Sequence, residues 1–513
     1  MASNQEVPGS NPGGRTYFIM KFPPLPIEVV NTGVILVGAG FDAYIVGGCV
    51  RDLLLGRTPS DWDITTNARP EDIQHLFPKD SFYENNFGTV TVVTESKKDS
   101  LKHIEITPYR AETTYSDRRH PDAVTFSNTL REDLKRRDFT INAMAVRLTA
   151  DDQNQTDSEV IDMFDGIKDL EDRLVRAVGR PQERFSEDAL RLMRAVRLAV
   201  QLDFDIDLDS ARAITVNADL LQHVSRERIQ SELTKLMMAD APARGFEIMR
   251  ELNILTYVMP ELLEGYGVGQ NLHHIYTVWE HNLRALTHAA EEGWPFDVRM
   301  AALLHDVAKP RTKHGEGTYS TFYGHDVVGA RMTKVILNRL MYPKQYVEKV
   351  TKLVRYHLFY YNVDEVTESS VRRLIMKVGV EDMEDLIRVR ICDRIGSGVP
   401  KAEPYKIRHF RFLVEKLSRD PVSVGMLKIR GDDVIRITDI EPGPRIGFLL
   451  KILLEDVLDD PALNTKDYLE KRVKELGEMS DAELKKLADE AKKKADAVEE
   501  GAVGTIKKKH WVK

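Results

Sequence analysis

Two acidic residues one position apart, Asp61 and Asp63, close a stretch that begins with an apolar run and a glycine pair: "AYIVGGCVRDLLLGRTPSDWDITT", starting at Ala43. On an extended segment, residues i and i+2 face the same side, so the two carboxylates project toward one point. Two unpaired carboxylates repel unless a cation stands between them. Magnesium suits the position, because it prefers hard oxygen ligands and bridges carboxylates to substrate phosphates. Gly47 and Gly48, lacking side chains, let backbone N–H groups approach a triphosphate, and Arg51 adds a cation. Glu105, in the later run "HIEIT", offers a third carboxylate. These are the parts of a two-metal nucleotidyl-transfer site, in which one ion activates a hydroxyl and the other holds the triphosphate and leaving pyrophosphate. An Asp-x-Asp alone also fits a turn. The glycine pair, Arg51-Asp52 and the later basic motif "RRDFTINAMA" favour chemistry.

A second set lies in "EDALRLMRAVR", where Asp188, Arg191, Arg194 and Arg197 follow one another at intervals of three. On a helix such a row drifts slowly around one side. A carboxylate only accepts hydrogen bonds and a guanidinium only donates them. Cytosine and adenine both present an amino donor beside a ring-nitrogen acceptor; uracil and guanine present the reverse. Asp188 with Arg191 is therefore complementary to C and A, and a buried mismatch with U or G leaves polar groups unpaired, which discriminates strongly. A solvated basic helix face is the plainer alternative, most of all for Arg197.

The elements that must carry these residues follow from composition and periodicity. A chain of 513 residues has room for about three domains, and 42% hydrophobic with 30% charged residues is ordinary for globular ones. The net charge of −8 neither requires nor excludes a nucleic-acid partner, because phosphate binding depends on local basic surface. Two cysteines, Cys49 and Cys392, exclude a disulfide framework and a Cys-rich zinc site, and a reducing cytoplasm fits them. No run reads as membrane-spanning, since the most apolar early stretch is interrupted by Asn31, Asp42 and several glycines. The start of the chain reads as a disordered leader without a secretory signal. Residues 26 to about 150 mix β-like runs ("AYIVGG", "GTVTVVT", "HIEIT") with a helix that has Pro70 near its first turn. From about 165 the apolar spacing turns helical, with Ser186 expected to cap "SEDALRLMRAVRLAVQL" and Asp188 in its first turn. The end of the chain is a charged helix and a basic tail.

"VGGCVRDLLLGRTPSDWDITTNARPEDI", "RRDFTINAMA", "DGIKDLEDRLVRAVGRPQERFSEDALRLMRAVRLA" and "RERIQSELTKLM", in this order, resemble the class II tRNA nucleotidyltransferase and bacterial poly(A) polymerase family. The resemblance covers most of residues 25–470. It implies that Gly48, Arg51 and Arg137 contact the nucleotide phosphates or ribose and that Asp61 and Asp63 bind Mg2+. It also implies that Asp188 and Arg191 template incoming CTP and ATP, with Arg194 and Arg197 supporting the phosphates or the helix. "PYRAETTYSDRRHPDAV", Pro108 to Val124, resembles the flexible loop of relatives that add both bases or A alone. Further on, "HNLRALTH", "AALLHDVAKP", "GHDVVGA", "RYHLF" and "ICDRIG" resemble the HD phosphohydrolase superfamily. That likeness maps core metal ligands onto His281, His305, Asp306 and Asp393, and positions of a second metal onto His325 and His357, with Lys309 near a phosphate. Imidazoles with carboxylates suit manganese, iron, nickel or zinc. Structural histidines in a repurposed helical domain are the alternative.

The expected fold class is α+β: an α/β head with a mixed sheet and helices, followed by an all-α neck, an HD domain and C-terminal helices. The expected order is a leader (1–24), a catalytic head (25–165), a nucleotide-selecting, RNA-binding neck (166–268), an HD metal-binding domain (269–400), a tRNA-binding helical region (401–480) and a charged helix with a basic tail (481–513). The expected function is addition of CCA to the tRNA 3′ end, with 2′,3′-cyclic phosphodiesterase action in the HD domain as a further expectation. A-only addition, poly(A) synthesis, and an HD hydrolase with an RNA-binding N-terminal module stand as alternatives.

Overall fold

Alternation of β-branched with polar residues becomes a sheet in the N-terminal part of the chain. The computed structural model describes residues 16–21, 24–83, 88–110, 126–127, 129–149, 157–271, 275–359, 361–362, 366–398, 405–418 and 424–490. Eight strands, β1 Thr16–Lys21, β2 Tyr44–Val46, β3 Trp62–Thr66, β4 Ser81–Tyr83, β5 Val90–Val93, β6 His103–Pro108, β7 Met144–Arg147 and β8 Asp157–Asp162, form one sheet. Their order is β1-β8-β7-β2-β3-β6-β5-β4. All neighbours are antiparallel except β3 and β6, which run parallel. Trp62 and Ile64 bury one side of β3 opposite Ile104 and Ile106 of β6, so the alternation turns Asp63 and its partner Glu105 to the other side.

The leader expectation is corrected for Thr16–Lys21, which is an edge strand paired with β8 over its whole length. "TYFIMK" is rich in β-formers, so it can extend a ladder where a polar run cannot. Of the Pro108–Val124 loop only Pro108, Tyr109 and Arg110 are among the described residues; the tail 491–513 is not among them.

The chain divides into two compact units, Met1–Pro260 and Glu261–Lys513. Within the first, residues beyond 165 are helical apart from bridges and a two-residue parallel ladder joining Leu174–Val175 to Asp205–Ile206. The segment carrying Asp188 and Arg191 is two helices rather than one: Pro181–Glu187, then Leu190–Leu202. Ser186 is not the cap. It lies in the first helix, where its hydroxyl donates to the Gln182 carbonyl at 2.7 Å. Asp188 stands in extended backbone at the break and accepts from the Leu190 N–H at 3.0 Å. An aspartate at a helix entry competes better for free N–H groups than a serine whose own preceding turn offers a carbonyl.

The second unit is helical. Thr277 and Glu280 form a reciprocal capping box that starts the helix Val278–Glu291. This helix lies against Met383–Gly396, and the absence of a side chain at Gly396 permits it: a Cβ there would stand 2.8 Å from the His281 carbonyl oxygen. The helices Phe296–Leu304, His325–Arg339 and Lys344–Tyr356 complete that bundle. Further helices, Gly431–Thr438, Pro444–Asp459 and Lys466–Gly477, bury Leu449, Leu453, Val457, Leu469 and Val473 in a core of their own. No described helix is long and apolar enough to cross a membrane.

Candidate active site and metal centre

The turn after β2 is where backbone geometry first serves chemistry. Gly47 has φ +82° and ψ −137°, a conformation that L side chains rarely adopt, and it leads into the short helix Gly48–Leu54. A Cβ at Gly47 would stand 2.9 Å from Arg137 Nη1 and 3.3 Å from Asp63 Oδ2. One glycine backbone thus lies between a guanidinium and one of the paired carboxylates. Asp61 is exposed just before β3, Asp63 is half-buried on it, and Glu105 faces Asp63 across the parallel ladder. Burial pushes the Cys49 thiol behind them up to about 12, with the Asp63 and Asp61 charges adding to it.

The cations are aimed by acids and amides, of which the sequence singled out Asp52 alone. Arg51 donates to Asp52 at 2.9 Å and to Asn142 Oδ1 at 2.8 Å. Arg137 donates to Asp133 at 3.2 Å. Burial disfavours the Asp133 charge, yet Arg136 and Arg137 hold its carboxyl below the usual range. Asp138 accepts from Arg194 Nε at 2.7 Å, from the Phe139 N–H at 2.9 Å and from Asn142 Nδ2 at 3.3 Å. Against its burial, chiefly the Arg194 charge keeps the Asp138 carboxyl well below its ordinary value.

Asp188 and Arg191 are each anchored, and not to one another. Asp188 Oδ2 accepts from Arg228 Nη2 at 2.7 Å. Arg191 donates to the Arg184 carbonyl (2.8 Å), to Glu187 (2.8 Å) and to the Arg136 carbonyl (3.1 Å). Arg191 uses three of its five donors in these contacts, and the carboxylate of Asp188 retains accepting capacity. Arg194 and Arg197 are neutralised: Arg194 by Asp138, Arg197 by Glu232 at 2.5 Å. Their pairing is that of residues that brace a helix. Arg228 and Glu232, four apart in "RERIQSELTK", were visible in the sequence only as part of an amphipathic helix.

In the second unit His281, His305, Asp306 and Asp393 place ligand-type atoms within 4.8 Å of one another, and Asp306, His325 and His357 do the same. All six are buried. Three of the imidazoles have the same second contact: Nδ1 of His305, His325 and His357 meets the carbonyl three residues earlier, on Ala302, Phe322 and Val354. A carbonyl only accepts, so Nδ1 carries a proton, and each of these rings in its neutral form turns an Nε2 lone pair inward. His281 Nε2 and His305 Nε2 stand 2.8 Å apart. The Asp306 carboxylate bridges the groups, with Oδ2 at 3.0 Å from His281 and Oδ1 at 3.2 Å from His325. Burial opposes charge on His305, but Asp306 and Asp393 raise it to about 10; the field that holds a proton there also favours a metal cation. Lys309 reaches Asp306 at 2.5 Å and Gln270 at 2.6 Å. Converging nitrogen and carboxylate donors fit a transition metal.

Comparison with known proteins is consistent along the chain. Residues 43–176 match the model of the poly A polymerase head domain, 203–265 that of the probable RNA and SrmB-binding site of polymerase A, and 278–395 that of the HD domain. A CCA-adding enzyme of Levilactobacillus brevis is 49% identical over 207 residues, covering 40% of this chain and 49% of that protein. The crystal structure of the Bacillus stearothermophilus CCA-adding enzyme in complex with CTP aligns with a TM-score of 0.65 and 29% identity, covering 89% of this chain and 98% of that one. A CCA-adding enzyme of Leuconostoc mesenteroides is 31% identical over 460 residues, which is 89% of this chain and 98% of that protein. With head, RNA-binding and HD segments in the same order as the motifs, and with a relative matched over almost its whole length, this chain belongs to the CCA-adding enzyme family of nucleotidyltransferases.

Proposed function

We propose that this chain completes the 3′ CCA end of tRNA from CTP and ATP. The observation that carries this is a continuous chain of hydrogen bonds: Arg194 to Asp138, Asn142 to Asp138, and Arg51 to Asn142. It ties the helix bearing Arg191 to the turn bearing Gly47 and Gly48, so base choice and phosphate placement share one rigid frame. Asp61, Asp63 and Glu105 are hard oxygen donors and would hold Mg2+, which when bound activates the 3′ hydroxyl and neutralises the triphosphate. The Gly47–Gly48 backbone, Arg51 and Arg137 orient the phosphates. Asp188 accepts from the amino group shared by cytosine and adenine, and Arg191 donates to the adjacent ring nitrogen. Arg194 and Arg197 keep the helix in register through Asp138 and Glu232. The test is extension of tRNA transcripts lacking three, two or one of the terminal nucleotides, with labelled CTP and ATP. Addition to all three is expected. Addition only to the transcript lacking the last nucleotide assigns A addition instead.

The second unit supports a second activity, phosphoester hydrolysis, on the strength of its converging histidines and carboxylates. His281, His305, Asp306 and Asp393 would hold a transition metal that activates water when bound, with His325 and His357 beside a second position. A 2′,3′-cyclic phosphate at a damaged RNA end is the proposed substrate. Opening of the ring to a terminal phosphomonoester on a cyclic-phosphate-terminated transcript, lost in His305→Ala but kept in Asp61→Ala, is the expected outcome.

A further inference from the structure

The helix Tyr405–Leu417 in the second unit carries an exposed stripe that neither activity uses. Tyr405, Arg408, His409 and Phe412 recur at helical spacing and share one face. Tyr405 is 61% and Phe412 58% exposed, far more than aromatic rings in a packed helix. The rings are in mutual contact: Tyr405 to His409 at 5.7 Å and His409 to Phe412 at 6.2 Å between centroids. They are also held from behind. The Tyr361 hydroxyl bonds His409 Nδ1, and Tyr361 packs on the buried Phe410 at 4.9 Å. Arg408 is exposed in the same stripe and pairs with no acid among the described residues, whereas Arg411 is bound to Glu384.

We infer that this stripe docks unpaired bases of the tRNA substrate, with Arg408 on the adjoining phosphate. An exposed ring offers every base a stacking face, and an uncommitted guanidinium beside it favours a polyanion over a neutral protein surface. The tilted rings at these spacings leave no slot for a base between them, so bases meet the outer faces of Tyr405 and Phe412. Duplex RNA keeps its bases stacked inside and has nothing to offer such rings. The inference rests on the tRNA-directed function proposed above and names a contact remote in sequence from its catalytic residues.

The test uses the full-length protein and two readouts. In steady-state nucleotide addition, Tyr405→Ala with Phe412→Ala raises KM for tRNA about tenfold or more, as expected for lost base stacking, while kcat and KM for CTP do not move. Tyr405→Phe with Phe412→Tyr keeps the rings and restores KM. In fluorescence anisotropy, a labelled stem-loop RNA binds the wild type and loses affinity in the alanine variant, whereas a blunt duplex is bound equally by both; Arg408→Ala reduces the salt slope of stem-loop binding by about one. An unchanged KM and stem-loop affinity, or a duplex affected as much as the stem-loop, overturns the inference. So does a change in sedimentation that reveals a dimer using this face. Absence of nucleotide addition by the wild type would instead overturn the tRNA-directed function, and the anisotropy arm would still decide whether the stripe binds unpaired bases.

Discussion

Replacing Arg228 by alanine tests whether base selection depends on how Asp188 is held. The guanidinium of Arg228 donates to Asp188 Oδ2 at 2.7 Å, while the other oxygen is fixed by the Leu190 N–H at 3.0 Å. Removing Arg228 leaves one anchor, about which the carboxylate can swing away from the amino group it must accept from. A charge-assisted hydrogen bond contributes about 1.5–3 kcal/mol. Arg228 is 32% and Asp188 20% exposed, so solvent screening brings the loss to about 1–1.5 kcal/mol, or roughly tenfold in rate. The loss applies to CTP and ATP, whose amino groups use the carboxylate, and not to UTP. The assay is single-nucleotide addition to a tRNA transcript lacking CCA, with kcat/KM measured for CTP and for UTP. The preference for CTP is expected to fall by roughly tenfold, and Arg228→Lys to recover part of it. An unchanged preference, or an equal fall for both nucleotides, would refute the positioning role of Arg228.

Other perturbations separate the remaining parts of the molecule. Gly47→Ala introduces a Cβ 2.9 Å from Arg137 at φ +82°; kcat/KM is expected to fall at least about tenfold for CTP and ATP alike, and a loss confined to one nucleotide would contradict a shared phosphate cradle. Metal content after purification, measured by mass spectrometry, should show a transition metal lost in His305→Ala and kept in Asp61→Ala; equal content in all three proteins would rule out the histidine cluster as its site. Asp138→Asn removes the charge opposite Arg194, and calorimetry at pH 7 should show a Tm lower by on the order of 5 °C. Because the folded Asp138 carboxyl lies below its unfolded value, that stabilisation is fully present above about pH 4 and is lost as pH falls further. A wild-type advantage that instead disappeared between pH 7 and pH 5 would disprove the assignment.

Much of the head was legible because its signals are local. Alternation in "GTVTVVT" and "HIEIT", the glycine turn and Pro70 at a helix start each depend on a few neighbouring residues. The break at Asp188 was not legible, since the 3.6-residue apolar pattern runs through it and only backbone geometry separates Pro181–Glu187 from Leu190–Leu202. Thr16–Lys21 was missed for a related reason: a short run is a strand only if another strand accepts it, and β8 lies more than a hundred residues on.

By itself the sequence determined which residue types stand at which spacing: the two aspartates, the glycine pair, the acid and guanidiniums, and the histidines. Their chemistry follows from donor and acceptor identity, which a sequence states outright. Only the tertiary structure decided what each is joined to. Asp63 faces Glu105 because β3 and β6 pair in parallel; Arg194 meets Asp138, and Arg228 meets Asp188, because helices distant in sequence pack together. His281, His305, Asp306, His325, His357 and Asp393 converge from five helices and their ends. Such contacts depend on packing between distant segments, for which local periodicity carries no term.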